Sequence, residues 1–73
     1  MRVTQVSLRR YNNTWYQEEV CWIDSRLARS GATVRDEEGR HWQVFEAYGT
    51  RESADLEKEY KVWRRFREVL DGR

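Results

Sequence analysis

Residues 2–10 place Val3, Val6 and Leu8 among polar neighbours in the loose alternation of a strand. Tyr11-Asn12-Asn13-Thr14 then predicts a tight turn, because Asn tolerates the left-handed backbone that short hairpins need. Residues 14–23 carry β-branched and aromatic side chains at both ends and predict a second strand. A two-residue period sets Tyr16, Glu18, Val20 and Trp22 on one face. Trp15, Gln17, Glu19, Cys21 and Ile23 take the other.

Asp24 to Gly31 fits a single helical turn, with Asp24 as its cap and Gly31 as its stop. Ala32 to Arg35 is a short strand, Asp36-Glu37-Glu38-Gly39 a hairpin loop, and Arg40 to Tyr48 the returning strand. Trp42 and Val44 face inward on it, and Gly49 closes the sheet. From about Glu52 to Leu70 the period lengthens to that of a helix, with Leu56, Tyr60, Trp63, Phe66 and Leu70 in step. Acids gather at its front (Glu52, Asp55, Glu57, Glu59) and bases at its back (Lys61, Arg64, Arg65, Arg67), in the sense the helix dipole favours. Glu57–Lys61 and Arg64–Glu68 are spaced as i,i+4 pairs. Gly72 stands where a helix stop belongs.

These elements predict an α+β fold built as one domain over residues 1–73. A small curved antiparallel sheet of about four strands, spanning about 2–48, curls towards an SH3-like or OB-like half-barrel. One C-terminal amphipathic helix, about 52–70, packs on it.

Composition narrows what can hold such a fold together. A chain of 73 residues builds a marginal core. Cys21 is the only cysteine, so no disulfide forms within the chain. Cys21 and His41 together fall short of a structural zinc site, and neither metal nor cofactor is expected. Aromatic packing is left to do the work, from 4 Trp, 4 Tyr and 2 Phe.

The formal charge of +1 disfavours a purely electrostatic nucleic-acid or membrane binder. The 14 bases are nearly all Arg, only Lys58 and Lys61 being Lys. Arg is enriched in recognition surfaces, although a GC-rich coding sequence also favours it. With a single free cysteine and no apolar run long enough for a signal peptide or a span, the expected compartment is the cytoplasm.

Catalysis finds no footing in the sequence. His41 has no nucleophile or carboxylate in a motif around it, and Cys21 has no His nearby. Glu18 and Glu19 point to opposite faces of a strand, and Glu37-Glu38 sit in a turn. No glycine-rich phosphate loop is present. The expectation is a binding protein with no catalytic residues.

Protein recognition ranks first among binding functions. On a helical wheel the apolar residues of 56–70 sweep an arc of roughly 180°, wider than one sheet face covers. One edge would pack on the sheet while Val62, Phe66 and Val69 meet another chain, unless a strongly curved sheet wraps both edges. Trp15 and Tyr16, on opposite faces of the second strand, are further candidates, since exposed Trp, Tyr and Arg populate binding hot spots. Nucleic-acid binding ranks second, through Arg9, Arg10 and Tyr11 (with Trp15 and Tyr16) at the first turn, and Lys61, Arg64, Arg65 and Arg67. A third reading is a homo-oligomer, the Val62/Phe66/Val69 edge forming a twofold helix pair.

Cys21-Trp22-Ile23, Ala28-Arg29-Ser30-Gly31-Ala32-Thr33-Val34, Trp42-Gln43-Val44 and Tyr48-Gly49-Thr50 share a pattern. Over about residues 20–50 it resembles small uncharacterised β-rich proteins of phages and bacteria. The resemblance implies a compact β-rich unit and no assigned activity, cofactor or site residue. A phage-like context would imply an inhibitor or regulator that occupies a host protein's surface.

Overall fold

A computed structural model describes residues 1–59 and 66–68. Its strands are β1 (Arg2–Asn12), β2 (Trp15–Asp24), β3 (Thr33–Arg35), β4 (His41–Glu52) and β5 (Arg67–Glu68). All the pairings are antiparallel, in the spatial order β2-β1-β4-β3-β5. The long strands form a curved half-barrel. Register shifts between Thr4 and Val6 and between Ser7 and Leu8 break the β1–β4 ladder, where bulges bend a sheet.

The inner face follows from pairing. Val6 lies opposite Cys21, Leu8 opposite Val44, and Val34 opposite Trp42, so each pair points the same way. With Ile23 and Phe66 they form one buried cluster, and Leu27, Ala28 and Ala32 pack at its margin. The link from β2 to β3 begins with a 3₁₀ turn, Ser25–Leu27, whose first N–H groups are met by Asp24: its carboxylate accepts from Arg26 N at 3.0 Å. Arg26 also holds the Asp24 carboxyl below the usual carboxylate range, by its side-chain hydrogen bonds against the opposing effect of burial.

The β3–β4 loop is knit around Asp36, whose side chain is 0% exposed. Its Oδ1 accepts from Glu38 N and Arg40 N, each at 2.9 Å. Its Oδ2 accepts from Arg40 Nε at 3.0 Å and from the Trp42 indole Nε1 at 2.9 Å. Burial alone would raise the Asp36 pKa. The hydrogen bonds from Trp42, Arg40 and Glu38 outweigh it and hold the carboxyl far below its ordinary value. Gly39 closes the loop at φ 83°, a conformation that favours glycine.

Among the described residues the expected continuous helix over about 52–70 is not found, and the α+β assignment gives way to a β-rich one. Glu52 completes β4, only Leu56–Glu59 make a helical turn, and Arg67–Glu68 pair with Arg35 and Val34 as a strand. The physical reason lies in β3. Its second edge needs hydrogen-bond partners, and pairing with β5 supplies them while seating Phe66 in the core. Intrinsic helix preference is a weak prior beside such pairing. The rest of that expected helix, residues 60–65 and 69–70, lies outside the described residues. The sheet also runs past its expected end at Gly49, because β4 continues to Glu52 beside Arg2.

Candidate functional site

The β1–β4 ladder ends at Arg9 opposite Gln43. The β1–β2 ladder carries on through Arg10–Gln17, Tyr11–Tyr16 and Asn12–Trp15. Residues 10–17 therefore leave the sheet as a two-stranded arm with no third strand beside β1 among the described residues. The loop at its tip is Asn13-Thr14, with Asn13 at φ 50°, the left-handed geometry that Asn accepts.

The arm carries large aromatic side chains in the open: Tyr11 is 58% exposed, Trp15 52% and Tyr16 50%. Tyr11 and Tyr16, directly opposite in register, share one face with ring centroids 5.9 Å apart at 45°. Trp15 stands on the other face. Tyr11 and Tyr16 continue onto the outer face of the sheet proper. There the Arg9 guanidinium lies 3.6 Å from the Phe45 ring centroid and 4.6 Å from that of Tyr16. Arg9 Nε donates to Glu18 Oε2 at 2.9 Å, and this bond, then Tyr11, raises the Arg9 pKa further. Val20, Phe45 and Tyr48 are exposed as well.

Arg10 is engaged differently. Its Nη2 donates to Gln17 Oε1 at 3.0 Å, and its guanidinium lies 5.7 Å from the Trp42 ring centroid. Its Nε is buried with no acceptor. The arm and its base thus present apolar and aromatic surface whose two cations are already engaged, Arg9 by Glu18 and Arg10 by Gln17. Arg9 and Arg10 are balanced in sequence by Glu18 and Glu19.

The structure gathers five of the candidates, Arg9, Arg10, Tyr11, Trp15 and Tyr16, at the arm. It separates the rest. Phe66 is 8% exposed and packs in the core, so it cannot be an edge that meets another chain. The twofold helix pair built on it falls with the helix. Arg67 is exposed on β5, across the sheet from the arm. Val62, Val69, Lys61, Arg64 and Arg65 lie outside the described residues. His41 is exposed and Cys21 buried, so they share no site.

Phe45 and Tyr48 went unmarked in the sequence. An inward Trp42 and Val44 put Phe45 outward by simple alternation. Tyr48 follows an irregularity in the β4 register that alternation does not anticipate. Asp36 carried a signal too, as an Asp opening a turn.

The chain matches no family model, no curated protein and no solved structure. The resemblance over residues 20–50 therefore gains neither support nor contradiction from comparison. Among the described residues, no helix is long and apolar enough to cross a membrane.

Proposed function

We propose that this chain is a non-enzymatic module that binds another protein through the arm at residues 10–17. The observation that carries this reading is the exposure of Tyr11, Trp15 and Tyr16 on a two-stranded projection. Holding three large rings in water is unfavourable, and a partner that covers them recovers that free energy. Tyr and Trp also lose little conformational freedom on binding and recur at hot spots. A small module of this kind acts by occupying a partner's surface, as an inhibitor or regulator does.

Nucleic-acid binding by Arg9, Arg10 and Tyr11 remains the second reading, because exposed rings also stack on bases. It is disfavoured by the engagement of both guanidiniums: a phosphate would have to displace Glu18 from Arg9 and Gln17 from Arg10.

Two measurements separate the readings. In a nuclease-treated pull-down, the chain should retain a stoichiometric protein partner that a folded Trp15→Ala/Tyr16→Ala variant loses. In an anisotropy titration with DNA and RNA, several phosphate contacts would weaken affinity by orders of magnitude between about 50 and 200 mM salt. Such binding, if abolished by Tyr11→Ala or Arg9→Gln, overturns the protein-binding reading.

A further inference from the structure

The second feature lies at the opposite edge of the sheet and is independent of the arm. Arg35 on β3 is directly opposite Arg67 on β5, and on its other side directly opposite His41 on β4. Residues paired in this way send their side chains to the same face, about 4.5–5.5 Å apart at Cβ. The row His41–Arg35–Arg67 therefore lies side by side across three strands, all exposed and on the face away from Val34 and Trp42.

Like charges directly opposite on neighbouring strands are destabilising. Three other arginines of this protein are answered by carboxylates: Arg9 by Glu18, Arg26 by Asp24, and Arg40 by Asp36 and Glu38. Arg35 and Arg67 have no carboxylate within ion-pair distance among the described residues. Both line a cleft of about 570 Å³, together with Asp36, Glu37 and Gly39. Asp36 does not compete for them, because its two oxygens are filled by Glu38, Arg40 and Trp42. Among the described lining residues, Glu37 is the acid whose carboxylate enters no described hydrogen bond or ion pair.

The geometry points to a phosphoryl-binding site formed by Arg35 and Arg67, with His41 at its flank. Two guanidinium forks on one face offer more N–H donors than a single carboxylate's two oxygens arrange well. A phosphoryl group has three acceptor oxygens and up to two negative charges, which suits two forks at cross-strand spacing. The charge it brings relieves the repulsion between the paired arginines. Glu37, at the rim, opposes the ligand and sets a ceiling on affinity.

The test is a titration of the ¹⁵N-labelled full chain with inorganic phosphate, then with phenyl phosphate, at constant ionic strength set by chloride. Saturable shifts are expected at the backbone amides of 35–41 and 67 and at the Arg35 and Arg67 side-chain Nε–H groups. Arg35→Gln and Arg67→Gln should each weaken binding about fivefold or more, since each removes one charged fork. Glu37→Gln should tighten it about twofold by removing a like charge from the rim. Arg35→Lys keeps the charge and loses the fork, so it should fall between parent and Gln variant even if Arg67→Gln fails to fold. A short single-stranded oligonucleotide distinguishes the source: competition with phosphate assigns a phosphodiester, and failure to compete assigns a phosphate monoester. Shifts that rise linearly without saturating, or saturate equally in parent and Arg35→Gln, overturn the site.

Discussion

Two tryptophans sit just past the two hairpin loops and meet opposite fates. Trp15 follows Asn13-Thr14 and is 52% exposed, whereas Trp42 follows Gly39 by three residues and is 1% exposed. Both loops bring their strands together antiparallel, and both tryptophans stand on strands of a similar kind. The difference is what lies beside and above each one. Trp42 is central in the sheet order, in one buried cluster with Phe66, and its indole N–H has a buried carboxylate to donate to. Trp15 lies on an edge strand past the point where β4 stops accompanying β1. Burial in so small a domain is decided by the third strand and by a partner for the indole N–H, not by the residue type.

That contrast breaks first at Trp42. Trp42→Ala should cost about 3–5 kcal/mol, enough to leave the chain largely unfolded, and a urea titration followed by circular dichroism reads it directly. A loss no greater than that of Trp15→Ala would remove the distinction between the hairpins.

Asp36→Ala comes next, at about 2 kcal/mol, because it strands the Trp42 N–H and two loop amides while leaving the apolar core in place. The same carboxylate makes stability depend on pH. Its folded pKa is depressed below the unfolded value of about 3.9, so its contribution is complete above about pH 5 and is lost as the pH falls below 4. The acid limb of the melting temperature should flatten in Asp36→Asn.

Asn13→Ala should destabilise by about 1 kcal/mol, since Ala lacks the side chain that makes the left-handed conformation tolerable there. The smallest effect is expected at the arm tip, where Trp15→Ala should change the unfolding free energy from a urea titration by no more than about 0.5 kcal/mol. Yet this variant, combined with Tyr16→Ala, should lose the partner. A stability cost as large as that of Asp36→Ala would mean that Trp15 is packed in solution.

The strands were legible because burial on one face leaves a two-residue period and because Asn13 and Gly39 mark the turns. The inward Trp42 and Val44, the Asp24 cap and the buried Cys21 all follow from local rules of this kind. The arm residues were also legible as candidates, though the sequence held no sign that the β1–β4 ladder stops at the Arg9–Gln43 pair, short of them. The C-terminal segment misled because Leu56, Tyr60, Trp63, Phe66 and Leu70 keep helical spacing. A short paired stretch with one buried residue, such as Phe66, looks the same inside such a pattern. What settles Phe66 to Glu68 is a pairing with β3 some thirty residues away, and periodicity carries no information about that. Arg35 and Arg67 became neighbours by the same pairing, so their juxtaposition was invisible until register was known.

The buried Cys21 gives the molecule a built-in clock. It is the single thiol in the chain, it lies 1% exposed against Val6, and no small reagent reaches it while β1 and β2 stay paired. Its modification rate therefore reports the fraction of time the inner half of that hairpin spends open, multiplied by the reactivity of a free thiol. The arm should fray without advancing that clock, and a partner that clasps the arm should slow it only so far as it restrains the strands below.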